Sequence, residues 1–140
     1  MPFNIALLDK DKASKIIKKY DYDSWYLSWH SLGVVVISSY AIKKSNIIDG
    51  LILLTSYPTK EISDNIKLLS IIGKEDGVIN LDNYNSSKKY FPTNTTELFV
   101  NGNNSNFVNY GIQKEDNESS VSKDEQHDET INEIIKFIRD

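Results

Sequence analysis

The hydrophobic positions of the chain follow two patterns, one typical of amphipathic helices and the other of fully buried strands. Lys10–Tyr20 has an apolar face among lysines, which predicts a helix with Asp9 as its N-cap. The short, continuously apolar segments Gly50–Leu54 and Ile66–Ile72 predict strands that are covered on both faces, as in a parallel sheet. The chain therefore begins as an alternation of helices and strands.

Shorter signals predict the remaining elements of the first hundred residues. The aromatic and apolar segment Ser24–Ser28 predicts a first buried strand. The length and small residues of Leu32–Ile42 favour a packed helix, although its three valines would suit a strand. Asn83–Tyr90 predicts a short helix, and Glu97–Val100 predicts a last strand. Helices between successive strands imply a parallel sheet with helices on both faces.

The C-terminal third is predicted to be a long loop followed by a helix. Residues 101–122 are rich in Asn, Gly and Ser and show almost no hydrophobic period. Ser122 begins a capping box with Glu125. The final helix carries an apolar stripe of four isoleucines, Ile131, Ile134, Ile135 and Ile138. Together the elements predict one α/β domain over residues 1–140, with a mainly parallel sheet flanked by helices.

Composition excludes several classes of function. The 140-residue chain has no cysteine and only two, widely separated histidines, so we expect no disulfide, no metal site and no organic cofactor. Residues 92–140 carry 10 acidic against 4 basic residues, which disfavours nucleic acid as a partner. The longest apolar segment, Leu32–Ser39, is far shorter than the roughly 20 residues of a membrane-spanning helix. No signal peptide precedes the first helix, so a cytoplasmic protein is expected.

The strongest chemical signal is Trp29-His30-Ser31-Leu32-Gly33, which lies between a predicted strand and a predicted helix. A tight turn of this kind can present a nucleophilic serine at the positive end of the helix, in a pattern Gly-x-Ser-x-Gly. Ser31 would be the nucleophile, and the backbone N–H of Leu32 would stabilise an oxyanion. A serine that only caps a helix is the commoner explanation of this pentapeptide taken alone.

Two further motifs follow later strands in an order that strengthens the case for Ser31. Gly73-Lys74-Glu75-Asp76-Gly77 comes directly after a strand, where a triad acid is often placed. Gly102-Asn103-Asn104-Ser105-Asn106-Phe107 follows the last strand, where a histidine would complete a triad. The chain order serine, aspartate, then the histidine loop is that of α/β-hydrolases.

With these motifs, the chain resembles bacterial α/β-hydrolases of the group related to dienelactone hydrolases. The likeness rests on four pieces, His30 to Gly33, Asp49 to Leu54 with Tyr57-Pro58, Asp76 to Val78, and Phe107 to Lys114. It implies a serine esterase or acyl hydrolase with Ser31 as nucleophile, Asp76 as the residue that orients the base, and a small ester-like substrate. It also implies that family members begin with strands and helices that precede the first helix here, so the chain corresponds to the C-terminal half of that fold.

The chain departs from the family pattern at positions that matter for chemistry. Asn104 stands where the family has its histidine, and an amide cannot take the serine proton near neutral pH. Asn101 and Trp29 replace the first glycines of the histidine loop and of the serine turn, and Trp29 is expected to strain or reshape that turn. Val34 replaces another small residue.

No other side chain is expected to supply the missing chemistry. His30 neighbours Ser31 but should point elsewhere, and His127 is expected on a solvated helix face. The acidic run Glu115–Glu118 lacks the fixed spacing of a calcium loop and is expected to be a solvated loop.

Three hypotheses therefore remain open. The chain is a serine hydrolase with residual activity, a non-catalytic remnant, or half of a split hydrolase. In the last case the exposed edge of the Ser24–Ser28 strand would lead to self-association or would pair with a complementing fragment.

Overall fold

The computed structural model describes residues 12–31, 40, 41, 43–109 and 111–140. Their helices are α1 (Lys12–Lys19), α2 (Leu81–Ser87) and α3 (Lys123–Arg139), and their strands are β1 (Tyr26–His30), β2 (Gly50–Leu54), β3 (Lys67–Gly73) and β4 (Thr95–Val100). Short 3₁₀ turns follow α2 and β4, at Lys88–Tyr90 and Ser105–Phe107.

The four described strands form one parallel sheet in the order β1-β2-β3-β4. Tyr26 pairs with Gly50, Gly50 with Lys67, and Leu68 with Thr95, so that the strands run side by side in chain order. All carboxyl ends therefore lie at one edge of the sheet, where ligands of open α/β sheets bind. The predicted fold class, a mainly parallel sheet flanked by helices, is confirmed.

The central strands are apolar on both faces because each face supports its own hydrophobic core. Leu51, Leu53 and Leu68 pack on one face, where Ile17 of α1 also lies. Ile52, Leu69, Ile71 and Val100 pack on the other face with Phe107 and with Phe137 of α3. The continuous apolar sequence of β2 and β3 follows from this arrangement.

The first strand begins two residues later than predicted and runs up to the serine turn. The aromatic and apolar segment suggested Ser24–Ser28, but the ladder with β2 extends through the pairs Trp29–Leu53 and His30–Leu54. Pairing with a buried strand thus outweighs the local sequence signal. The predicted helix Leu32–Ile42 lies largely outside the described residues, of which Tyr40 and Ala41 are helical.

The final helix has the predicted capping box, with the Ser122 hydroxyl accepting the Glu125 N–H and the Glu125 carboxylate accepting the Ser122 N–H. Its buried face is not centred on the isoleucine stripe. Ile131, Ile135 and Ile138 are 52%, 40% and 43% exposed, whereas Gln126, Thr130 and Phe137 are buried. None of the described helices is long and apolar enough to cross a membrane.

Candidate functional site

Four polar residues follow the four strands at the carboxyl edge of the sheet. Ser31 comes directly after β1, Thr55 after β2, Asp76 three residues after β3, and Asn104 four residues after β4. The parallel order of the strands brings all four loops to the same edge. The structure thus brings the predicted site residues Asp76 and Asn104 into contact and places Ser31 in the wall of the same cleft.

The backbone at Ser31 has a left-handed conformation, with φ of 56°. This region is sparsely populated by residues other than glycine, and such strain is typical of functional turns. Trp29 does not prevent it, because the indole lies in β1 and packs against the core of Leu51 and Leu53. Leu32, Gly33 and Val34 lie outside the described residues, so the oxyanion donor stays a prediction.

The carboxylate of Asp76 is held by its own loop. Its Oδ1 accepts the backbone N–H groups of Val78 and Ile79 at 2.8 and 2.9 Å. Burial raises the pKa of Asp76, although the N–H donors of Ile79, Val78 and Asn104 oppose that rise. Hydrogen bonds to the charged form thus offset only part of the desolvation.

The Asn104 side chain stands between Asp76 and the rest of the site, and the residue is 1% exposed. Its Nδ2 lies 3.0 and 3.2 Å from the two Asp76 oxygens and 2.9 Å from the Thr55 hydroxyl oxygen. Its Oδ1 accepts from Gln113 Nε2 at 2.9 Å. The amide therefore presents its nitrogen to acceptors and its oxygen to a donor, which fixes its orientation.

His30 also contacts this amide, a partner that the sequence did not suggest. Its Nε2 lies 3.1 Å from Asn104 Oδ1, and its ring centroid lies 6.4 Å from that of Phe107. Since Oδ1 can only accept, His30 must donate from Nε2, and its Nδ1 carries no proton when the ring is neutral. Burial lowers the pKa of His30, while Asn104 and the nearby carboxylates of Asp76 and Asp116 partly restore it.

The depressed pKa of His30 predicts a loss of stability in acid. A histidine whose folded pKa lies below its unfolded value of about 6.5 contributes stability above that pH, and this is lost as the pH falls through the folded pKa. A His30→Gln variant keeps a donor to Asn104 but has no titrating ring. We therefore expect its melting temperature to drop less than that of the unmodified chain between about pH 7.5 and about pH 5. Equal drops would contradict this.

The loop that carries Asn104 is organised by Asp116, a member of the acidic run expected to be solvated. The two oxygens of this carboxylate accept backbone N–H groups of Gly77, Asn104 and Ser105 at 3.0, 3.3 and 2.7 Å. Burial alone would raise the pKa of Asp116, but the Ser105 side chain and the backbone N–H groups of Gly77, Ser105 and Asn104 outweigh it and lower the pKa. Asp116 thus ties the Asp76 loop to the Asn104 loop, a structural role that the expectation of a solvated loop did not include.

A cleft of about 400 Å³ opens beside these groups. Its described lining consists of five hydroxyl residues (Ser31, Thr55, Ser56, Tyr57 and Thr59), three amide residues (Asn80, Asn104 and Gln113) and two aliphatic residues (Val78 and Ile79). Ser31 and Asn104 therefore face a common cavity of the size that binds small molecules.

The two remaining predictions about site chemistry concern His127 and metals. His127 is only partly exposed, and its Nε2 is buried, so the helix face expected to be solvated is not fully so. Within the described ranges, no group of three His, Asp or Glu residues is placed to hold a metal ion.

Thr55 and Gln113 are site residues that sequence reasoning did not assign. The Thr55 hydroxyl donates to Asp76 and accepts from Asn104, and its φ of 46° is unusual for a β-branched residue. The sequence signal that could have identified Thr55 is a polar residue directly after an apolar strand. Gln113 lay within the Phe107–Lys114 motif without an assigned role.

Comparison with known proteins agrees with the geometry at the level of the family. The family model described as "Alpha/beta hydrolase family" matches residues 1–128. Comparison with curated proteins and with solved structures finds no match.

Proposed function

The chain belongs to the alpha/beta hydrolase family, and on that premise we propose that it is a serine-hydrolase-type protein whose turnover is severely impaired at one position. Ser31 lies on a strained turn in the wall of the cleft, and the Asp76 carboxylate lies on a neighbouring loop. The side chain that contacts this carboxylate and also lines the cleft with Ser31 is an amide, that of Asn104. The protein would bind small ester-like compounds at Ser31 without efficiently cleaving them.

The observation that carries this proposal is the hydrogen bonding of Asn104. Its nitrogen donates to Asp76, as the imidazole of a triad donates to its carboxylate. Its oxygen already accepts from Gln113 and from His30. An amide in this position has no basic lone pair near neutral pH, so it cannot remove the proton of Ser31 or return one to a leaving group.

His30 does not supply the missing base in this arrangement. Its Nε2 is committed to Asn104, and the neutral ring accepts only through Nδ1. The ring packs near Phe107, in the core on the α3 face of the sheet. The loss of general-base catalysis costs about 10²- to 10⁴-fold in rate.

A fluorophosphonate tests the proposal on the unmodified chain. We expect slow, stoichiometric labelling that stops at one adduct, because the serine turn is present but nothing deprotonates the hydroxyl. The measurement is intact-protein mass spectrometry over time, with peptide mapping to locate the adduct.

The matched control is Ser31→Ala, in which the adduct should be absent, together with a thermal melt to show that both chains are folded. Labelling as fast as that of a working serine hydrolase would show that another group activates Ser31. An adduct that survives in Ser31→Ala would place the reactive group elsewhere. Either result would overturn the proposal.

A further inference from the structure

We propose that the cleft at Ser31 selects uncharged acyl compounds, such as short esters or amides that carry no ionised group on the acyl chain. This inference rests on the proposed function, since it concerns the same site. It adds the chemical class of the ligand, which the family does not specify.

The described wall of the cleft contains no charged side chain. All ten residues of the described lining are hydroxyl, amide or aliphatic residues, and none carries a charge. An ionised ligand would lose hydration on entry and would find no opposite charge among these groups.

The nearby carboxylates of Asp76 and Asp116 already accept hydrogen bonds from the protein. Asp76 accepts from Val78, Ile79, Thr55 and Asn104, so its oxygens have no free position for a cationic ligand. Asp116 likewise accepts backbone N–H groups.

The size of the cleft limits the ligand. Its volume of about 400 Å³ lies near the lower end of the range for ligand pockets. Val78 and Ile79 form an apolar part of the wall that suits a short alkyl chain. Asn80 and Gln113 contribute side-chain amides to the polar part of the wall. A compact acyl group with one carbonyl matches this arrangement.

Binding of three p-nitroanilides to the unmodified chain tests the inference. Butyryl-, succinyl- and 4-aminobutyryl-p-nitroanilide have similar shapes and differ in charge at the end of the acyl chain. We expect the butyryl compound to bind at least about tenfold more tightly than either charged compound. The measurement is an NMR titration that follows the side-chain amides of Asn80 and Gln113.

A charge introduced into the wall provides the matched control. Val78 binds Asp76 only through its backbone N–H, so Val78→Lys leaves that bond in place. This variant is expected to reverse the preference and bind the succinyl compound best. Equal or tighter binding of a charged compound to the unmodified chain, or no binding of the butyryl compound, would overturn the inference.

These outcomes are separable from those of the proposed function. Anilide binding requires no reaction at Ser31, so a charge preference is measured even if labelling is fast or absent. Slow labelling combined with tight binding of a charged anilide would leave the proposed function intact and reject only the ligand class.

Discussion

Replacement of Asn104 by histidine is expected to raise the rate of ester hydrolysis by about 10²- to 10³-fold, within the range that a general base contributes. The amide nitrogen already lies 3.0 Å from Asp76 Oδ2. An imidazole N–H at that place would be oriented by the same carboxylate, which leaves the other ring nitrogen to accept the proton of Ser31. The change therefore restores a base where the orienting acid is preserved.

The measurement is hydrolysis of p-nitrophenyl butyrate by purified protein, with Ser31→Ala in the Asn104→His background as control. A gain that depends on Ser31 would show that the serine and the new histidine act together. The rate should also fall below about pH 6.5, where the imidazole becomes protonated. The unmodified chain should show no such step.

A folded Asn104→His variant with no gain would contradict the expectation. The thermal melt identifies the folded variants, and Asn104→Gln serves as a second substitution that enlarges the side chain without adding a base. If neither variant is active but both are folded, the defect extends beyond Asn104. The proposal that one position limits turnover would then be wrong.

The site was predictable from sequence where a motif follows a strand. Parallel strands place their carboxyl ends together. The order of the serine, aspartate and asparagine motifs, combined with the family resemblance, therefore assigned Asp76 and Asn104 to one site, and the structure brings their side chains into contact. The apolar segments Gly50–Leu54 and Ile66–Ile72 gave the central strands to within a residue. Both predictions depend on local sequence and on topology, which a single sequence contains.

The contacts between loops were not predictable in the same way. Thr55 donates to Asp76 from a left-handed backbone conformation, which sequence does not suggest for threonine. Asp116 appeared to belong to a solvated acidic run, but it binds N–H groups of two loops that are distant in sequence. Such hydrogen bonds depend on long-range geometry rather than on periodicity.

The final helix illustrates the same limit for packing. Its isoleucine stripe has the correct helical spacing, yet Gln126 is fully buried while Ile131 is 52% exposed. The reason is that Gln126 hydrogen-bonds the backbone of Asn103, with its oxygen accepting the N–H at 3.1 Å and its nitrogen donating to the carbonyl at 2.8 Å. The hydrogen bonds between Gln126 and the loop that carries Asn104 thus contribute to the orientation of the helix.

This contact makes Gly102 the position at which we expect the largest loss of stability. Gly102 has φ of 119°, and a Cβ there would lie 1.8 Å from Gln126 Oε1 and 2.3 Å from its Cδ. Gln126 could avoid the methyl group only by giving up both buried hydrogen bonds with Asn103. We expect Gly102→Ala to lower the free energy of unfolding by about 3 kcal/mol or more, from backbone strain and unpaired buried amides together.

Gly111→Ala is the matched control that measures the cost of backbone strain alone. Gly111 also has a positive φ, of 92°, but apart from its chain neighbours none of the described residues lies within 4 Å of the added Cβ. Its cost should be about 1 kcal/mol, due to conformation alone. Urea unfolding of both variants measures the difference, which assigns the excess at Gly102 to the contact with Gln126.

A Gln126→Ala background identifies the cause of that excess. If the clash with the Gln126 amide dominates, the cost of Gly102→Ala should shrink by about 2 kcal/mol in the variant that lacks this side chain. An unchanged cost would mean that strain at Gly102, rather than the helix contact, limits the loop. In that case α3 would not hold the Asn104 loop in place, and the geometry between Asn104 and Asp76 would depend on Asp116 and the strand ends instead.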